Sequence, residues 1–402
     1  MLSDYFILLS ITLIIVGLLS RGQDFNNNLT LVPQPQQSKP FWGWFGSQSQ
    51  TTDRPINRKQ LEVFSLYPTK TGFTQTTEML NKDGVLDISI QVVEKSFDYM
   101  FDAVSLGHVK CILSALNYGS HSKLSFGVDL YSNYPFGLDD YWKIMWIFGN
   151  RKGQGLERLN NYLRPHNVYA LPILVLPSQV TGWTNLTLSD SAETWKSVKM
   201  RTFGFATEIY KRLGAETYPL SLEEIPEAYK SGKINFYEFA TLTIDKAMGL
   251  DQLGAKNYYI SGHMEPSSII YLIFNLDFWQ SLSSTEQSLL RERSRVNIMD
   301  YLYQSDYDEK QALTQLIQSG VKVLQVPPRA LMSVYNEWQK YVAEQRKKDS
   351  FFDQTITDLQ EFTHNEEYWE NVTGSWRDLL KWQGSQVPQS KPRIDQRHIQ
   401  KN

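Results

Sequence analysis

The stretch from Trp195 to Phe239 constrains this chain more than any other, because strand and helix signals alternate along it. Val198 to Arg201 reads as a short strand, apolar and β-branched ahead of a turn. A helix follows Gly204, with Phe205, Ile209 and Leu213 on one stripe at fourfold spacing. Gly214 closes it, as glycine does where the chain turns left-handed after a helix. A second helix is expected to start at Ser221, where Ser221 and Glu224 have capping-box spacing, and to end near Gly232. Ile234 to Phe239 then reads as another strand. Two strands therefore bring Arg201 and Glu238 to neighbouring sheet ends, where ligands of open α/β sheets bind. An arginine facing a cleft beside a helix start suits a carboxylate, which it can grip bidentately.

The same rhythm runs through the rest of the chain. Folded sequence begins near Gln60, and Leu86, Ile88, Ile90 and Val92 alternate in a strand. A helix is expected from Ser96 to Val104, stopped at Gly107, with another strand from Val109 to Leu113. That β-α-β order implies a parallel sheet with right-handed crossovers. Asn117 and Tyr118 lie just past the strand end, where loops carry ligands. Tyr134 to Leu138 is a turn, and Asp139 and Asp140 start a helix bearing Trp142 and Trp146. Asn167 to Leu176 reads as a long buried strand leading to Gln179 and Trp183. Thr243 to Gly249 looks helical, Asn257 to Ile260 extended, and Ser267 to Asn275 a strongly apolar strand. Ser283 and Glu286 form another capping box, opening a long helix towards Ser319. After a strand within Val321 to Val326, residues Arg329 to Trp369 read as nearly all helix. Leu331, Val334, Trp338 and Val342 form its apolar side.

Both termini differ in character from this body. Tyr5 to Leu19 is apolar and uncharged, with a length between a secretory core and a minimal membrane span. Residues 1–22 are accordingly read as a cleaved signal peptide or a retained membrane anchor, and either one exports the rest. Residues 23–59 form a polar linker rich in Gln, Asn, Ser and Pro, and 374–402 a disordered polar tail. The net charge of −3, with no basic stripe, argues against nucleic acid. A single cysteine, Cys111, excludes an internal disulfide and a cysteine zinc site, and its apolar setting makes it a core residue.

Catalytic signatures are absent: there is no G-x-S-x-G elbow, no H-E-x-x-H and no P-loop. Gly153-Gln154-Gly155 opens a dinucleotide fingerprint, but Arg158 stands at the third glycine position. His263, in a turn, is read as a packing or surface residue ahead of a metal ligand. Arg201, Gln179, Glu238 and Glu265 make a more informative set, because all sit at expected strand ends or adjacent loops. Two carboxylates with a glutamine oxygen suit a hard cation, Ca²⁺ or Na⁺, and not zinc. A plain salt bridge between Arg201 and Glu238 is the simpler reading of spacing alone.

The run K-M-R, G-x-A, L-G-A and G-x-I-N-x-x-E from Val198 to Glu238 resembles the solute-binding proteins of TRAP (tripartite ATP-independent periplasmic) transporters, the DctP-like family. Phe101 to Val104, Pro135 to Leu138, Gln179 with Gly182-Trp183, and Glu265-Pro266 agree in the same order. The resemblance covers about Gln60 to Gly374. It is strongest to the branch that binds 2-oxo acids or lactate with a metal ion, and it implies roles residue by residue. Arg201 would grip the ligand carboxylate. Gln179, Glu238, the backbone carbonyl of Phe239 and Glu265 would hold the cation. Tyr118 would hydrogen-bond the ligand beside Asn117, with Phe136 or Trp183 packing over it. Departures stand at Phe239, where the family usually has tryptophan, at Asn117-Tyr118, where it has a tyrosine pair, and at His263-Met264, where it has an aromatic-histidine pair.

The expected fold is therefore an α/β protein of two lobes, joined by hinge strands and braced by a long C-terminal helix. Lobe one would be residues 60–176 plus 266–297, lobe two 177–265 plus 298–330, and the C-terminal helical region 331–373. The expected function is capture of a small monocarboxylate, a 2-oxo or 2-hydroxy acid, for TRAP permease subunits in the periplasm, without catalysis or organic cofactor. Alternatives are a membrane-tethered sensor or scaffold with the same fold, or an enzyme using Glu238 and Glu265 as an acid–base pair. A homodimer formed by exchange of the C-terminal helix is a further expectation.

Overall fold

A computed structural model describes residues 59–68, 86–119, 123–149 and 155–373. The expected signal or anchor segment, nearly all of the linker, Gly153-Gln154 and the tail lie outside the described residues. The first sheet has the order β2-β1-β3-β10-β4, from β1 (Lys59–Ser65), β2 (Leu86–Val92), β3 (Cys111–Ser114), β4 (Val168–Leu176) and β10 (Ser268–Asn275). The second has the order β11-β9-β5-β8-β6-β7, from β5 (Gly182–Thr184), β6 (Lys199–Arg201), β7 (Glu216–Tyr218), β8 (Phe236–Tyr237), β9 (Asn257–Tyr259) and β11 (Lys322–Leu324).

Most pairings are parallel, as the alternating sequence predicts. The exceptions are β10, antiparallel to β3 and β4, and β5, antiparallel to β8 and β9. These strands follow the first two of the three crossings between sheets, and each enters its sheet against the prevailing direction.

Helices cover the sheets where the apolar periodicity places them. On the first lie α1 (Phe97–Ser105), α2 (Asp140–Ile144), extended by a π turn at Met145–Gly149, and α3 (Gly155–Leu163). Ser96 and Asp139 cap α1 and α2 by accepting from the Tyr99 and Trp142 amides. Around the second sheet lie α4 (Gly204–Arg212), α5 (Ile225–Lys230) and α6 (Leu242–Ala247). The expected helix from Ser221 begins later, at Ile225. Glu224 does bond the Ser221 amide at 2.8 Å, but Pro226 in the first turn sets where regular helix starts.

After α7 (Leu276–Ser281), the helix α8 (Ser284–Gln318) serves both sheets. Its length is about 52 Å at the α-helical rise, and Ser283 with Glu286 forms the full capping box. A register shift between Ile270 and Tyr271 opposite Pro172 disturbs the β4–β10 ladder, where proline has no amide to donate. From α8, Ser294 donates to the Pro172 carbonyl and Asn297 to that of Ile173 at 2.8 Å. Further along, Glu309 accepts from the Leu242 and Thr243 amides at 3.1 and 3.0 Å, capping α6 of the second lobe.

The C-terminal region is two helices instead of one: α9 (Pro328–Lys348) and α10 (Ser350–Thr373). Asp349 is the cause, since its Oδ1 accepts from the Phe351 and Phe352 amides and so caps a new helix. On α9, Val334, Trp338 and Val342 are buried as their spacing predicts, with the Trp338 ring 5.1 Å from Phe205 of α4. Trp338→Ala should cost about 3–5 kcal/mol, as large-to-small changes in a closed core do. Chemical denaturation monitored by circular dichroism measures this, and a loss below about 1 kcal/mol would show that α9 does not brace α4.

Candidate functional site

β6 and β8 are paired in parallel at Met200 and Phe236, so Arg201 and Glu238 emerge side by side. Their side chains meet: Arg201 Nη1 lies 2.9 Å from Glu238 Oε1 and donates also to the Glu238 carbonyl at 3.1 Å. Arg201 Nε donates to the Leu220 carbonyl at 3.1 Å, which fixes the guanidinium plane. Among the described residues no hydrogen bond uses Nη2. The rings of Phe203 and Phe239 flank the guanidinium at 4.6 and 5.2 Å, in cation–π contact. Arg201 is 3% exposed.

Gln179 and Glu265 reach the same place from the first two crossings. The Gln179 amide donates to the Glu265 carbonyl at 3.0 Å. That approach needs Gly262, where a Cβ would lie 2.4 Å from the Gln179 carbonyl oxygen. Gln179 Nε2 donates to Ser268 Oγ at 2.7 Å, and Ser268 Oγ lies 2.6 Å from Asn133 Oδ1 and 3.1 Å from Glu265 Oε2. Gln179 Oε1 takes no hydrogen bond among the described residues, nor does the Phe239 carbonyl.

Tyr118 closes the opposite wall from the turn after β3, its ring 5.3 Å from Phe203 and 6.0 Å from Tyr67. The Tyr67 hydroxyl accepts from the Ala115 amide at 3.0 Å. Burial pushes the Tyr118 hydroxyl up to about 12, against the pull of Arg201, so it stays a neutral donor. Asn117 Oδ1 is buried without a hydrogen-bond partner among the described residues. Beside it stands Gly204, at φ +56°, where an added Cβ would lie 3.4 Å from Asn117 Nδ2.

Together these residues line a cavity of about 30 Å³ between the lobes. Arg201, Gln179, Tyr118, Asn117, Glu238, Phe239 and Glu265 are all on its wall. A broader concavity of about 820 Å³ on the second lobe holds none of the expected site residues.

Two expected residues lie elsewhere. Trp183 is buried in the second core, where its Nε1 donates to Asp245 at 2.7 Å and its ring packs 4.3 Å from Tyr258. Alternation along β5 turns it away from the cleft. Phe136, at φ +54°, packs on His263 and Tyr335 at 5.3 and 5.2 Å. Phe203, Phe239, Tyr67 and Tyr118 are the aromatics lining the cavity. The sequence reading also missed Tyr67, Asn133 and Ser268. Tyr67 and Phe203 had a usable signal, since each follows a strand end by two residues. His263 is a packing residue, bonded to Tyr210 Oη at 2.9 Å and the Ser261 carbonyl at 2.8 Å.

The donor set fits a hard cation. Two glutamate carboxylates, an amide oxygen and a backbone carbonyl are all oxygen ligands of the kind Ca²⁺ and Na⁺ take. Burial raises the Glu238 carboxyl while Arg201 pulls it down. Glu265 is pushed up to about 7, first by burial and then by the charge of Glu238. Two carboxylates that resist ionising together are relieved by a positive ion between them.

A pH dependence follows for the cation-free protein. Between the ordinary Glu value of 4.5 and about 7, folded Glu265 keeps a proton that the unfolded chain has released. Its ionisation therefore lowers stability as pH rises through that window. Asp245, pushed by burial up to about 8, acts in the same direction. The melting temperature without cation should be higher at about pH 5.5 than at about pH 7.5, and Glu265→Gln should flatten the difference. A slope unchanged by that substitution would detach Glu265 from the effect.

Comparison with known proteins finds the same fold. A monocarboxylate 2-oxoacid-binding periplasmic protein from Nostoc sp. strain PCC 7120 is 26% identical over 275 residues, 68% of this chain and 73% of that protein. A TRAP transporter solute-binding protein from Bordetella bronchiseptica, a mixed-occupancy dimer with copurified calcium and picolinate, superposes with a TM-score of 0.74. It is 21% identical and covers 82% of this chain and 98% of its own. A counterpart from Pseudoalteromonas atlantica, with bound sodium and pyruvate, superposes with a TM-score of 0.71 at 21% identity, covering 80% of this chain and 98% of its own. Residues 91–349 match the DctP model, bacterial extracellular solute-binding protein family 7, and the chain belongs to that family of TRAP solute-binding proteins.

Proposed function

We propose that this protein captures a small 2-oxo or 2-hydroxy monocarboxylate together with Ca²⁺ or Na⁺, outside the cytoplasm, for delivery to TRAP permease subunits. One observation carries the reading: a single arginine and two glutamates share one buried cavity. With both glutamates ionised that set sums to one negative charge, and a carboxylate ligand would add another. Such an excess is costly at low dielectric. A cation removes it, and the oxygen-rich wall supplies its ligands. The partners bound by the relatives, 2-oxo acids, pyruvate, picolinate, calcium and sodium, are of this chemistry.

The roles follow from the geometry. Arg201 gives up its Glu238 contact and turns Nη1 and Nη2 to the ligand carboxylate, while Leu220 keeps its plane fixed. Glu238, so released, joins Glu265, Gln179 Oε1 and the Phe239 carbonyl around the cation, which also draws on the ligand's 2-oxygen. Tyr118 donates to the ligand, and Phe203 and Phe239 exclude water around the ion pair. The lobes, with limits near those expected from sequence, part to admit the ligand and close over it. The reading is capture without turnover, the glutamates serving as cation ligands and not as an acid–base pair.

Titration calorimetry with pyruvate and lactate tests the proposal. Arg201→Ala should weaken binding by about a hundredfold or more, since it removes a buried bidentate partner. Tyr118→Phe should cost about fivefold to tenfold, one neutral hydrogen bond. Normal affinity in Arg201→Ala would sink the site assignment. Removing divalent ions with EDTA separates the metals: affinity lost and restored by calcium identifies Ca²⁺, whereas affinity that instead follows sodium concentration identifies Na⁺.

A further inference from the structure

Asp245 is fully buried on α6, behind the cavity wall and not on it. Both of its oxygens are taken by neutral donors, Oδ2 by Trp183 Nε1 at 2.7 Å and Oδ1 by the Ala240 amide at 3.1 Å. A carboxyl group is costly to bury, and a neutral oxygen would satisfy one indole N–H at a smaller desolvation cost. The bond to Ala240 is the more informative one, because the carbonyl of the same peptide unit belongs to Phe239.

In a planar trans peptide the N–H and the C=O point in opposite directions. With its N–H drawn back to Asp245, this unit must turn the Phe239 carbonyl forward, and Phe239 and Ala240 both line the cavity. That carbonyl takes no hydrogen bond among the described residues, so Asp245 fixes the plane from the amide side. The carbonyl before it, of Glu238, is turned to Arg201 Nη1 at 3.1 Å. Successive carbonyls thus serve the two halves of the cavity, one facing the guanidinium and one left for a cation. Donation from the amide also moves electron density onto the carbonyl oxygen, which makes it a better ligand for a positive ion. Asp245 is in turn held from outside the loop. Glu309 of α8 bonds the first amides of α6 at 3.1 and 3.0 Å, and the buried Trp183 ring lies 4.3 Å from Tyr258. A carboxyl group fixed at both oxygens, reaching the cavity wall through one amide, has the arrangement of a group that orients a metal-ligand atom.

We infer that Asp245 is a positioning residue, which through the Ala240 amide aims the Phe239 carbonyl at the cation of the proposed site. The inference rests on the reading of that carbonyl as a cation ligand. Melting temperature of the full chain, stripped of metal and titrated with calcium chloride or sodium chloride, tests it. Cation affinity is read as the concentration needed for a given rise above the cation-free value. Asp245→Ala should raise that concentration about tenfold or more. Asp245→Asn keeps the shape but offers one oxygen to two N–H groups, with its NH2 set against the other, and should raise it likewise. Adding Trp183→Phe to Asp245→Asn removes the competing N–H, leaves the oxygen to Ala240, and should bring the concentration back to within about threefold of wild type. An aspartate that only fills the core would lower the cation-free melting temperature and leave the cation concentration unmoved. A wild type that responds to cation while Asp245→Asn responds at the same concentration, or a paired variant no better than Asp245→Asn, overturns the positioning role and leaves the site reading intact. A wild type that binds pyruvate with no response to either cation overturns both.

Discussion

Two carboxylates buried against one guanidinium set the terms for everything around the cleft. Arg201 can neutralise one of them, and Glu238 has the contact at 2.9 Å. Glu265 then depends on neutral neighbours, Ser268 and through it Asn133, which supply polarity without charge. This explains why the first two crossings between lobes run so close, with Gly262 packed onto Gln179: the oxygen groups must converge from separate segments. It also explains the aromatic walls. Phe203 and Phe239 exclude water on both sides of Arg201, which strengthens every charge interaction inside the cavity.

A cleft between two lobes is only as well defined as the element that relates them, and α8 has that role. Its polar side chains bond backbone groups that neither sheet can satisfy alone. Asn297 takes a carbonyl at the irregular part of β4, and Glu309 takes the first amides of α6. Unpaired backbone groups of this kind are costly when buried, so the helix is held to elements of both lobes by hydrogen bonds and not by apolar packing alone. Its outward face carries the exposed side chains of Val296, Met299, Tyr303 and Tyr307.

The legible part of the fold was the part written in local periodicity. The strand, helix and turn around Arg201 could be read because apolar spacing and glycine punctuation agree there, and a parallel neighbour for β6 followed from the intervening helix. Glu238 can therefore be paired with Arg201 from the sequence alone. Residues that join the cavity by long-range convergence carried no comparable mark. Asn133 and Ser268 meet through an isolated bridge between distant segments. Trp183 shows the opposite error. A tryptophan next to a candidate ligand loop looks like a lid, but one residue of strand register decides which face it occupies, and β5 sends it to Asp245. The break at Asp349 was written in the sequence as an Asp-Ser pair and was masked by strong helical periodicity on either side.

The two sequence readings of Arg201 and Glu238, plain salt bridge and halves of a ligand site, describe one pair in two conditions. Without ligand, the pair keeps two buried charges mutually satisfied, which a half-built site could not do at tolerable cost. In the proposed complex the same two groups part, Arg201 to the ligand carboxylate and Glu238 to the cation, so each new charge replaces the partner that left. Neither exchange is favourable alone: a carboxylate that takes Arg201 strands Glu238, and a cation that takes Glu238 strands Arg201. Ligand and cation must then bind with mutual reinforcement, and by linkage each raises the affinity of the other by the same factor. The ion pair seen on the second lobe's side of the cleft is on this account the resting form of the site, and the coupling it enforces is what would let a small acid be retained until the lobes open again.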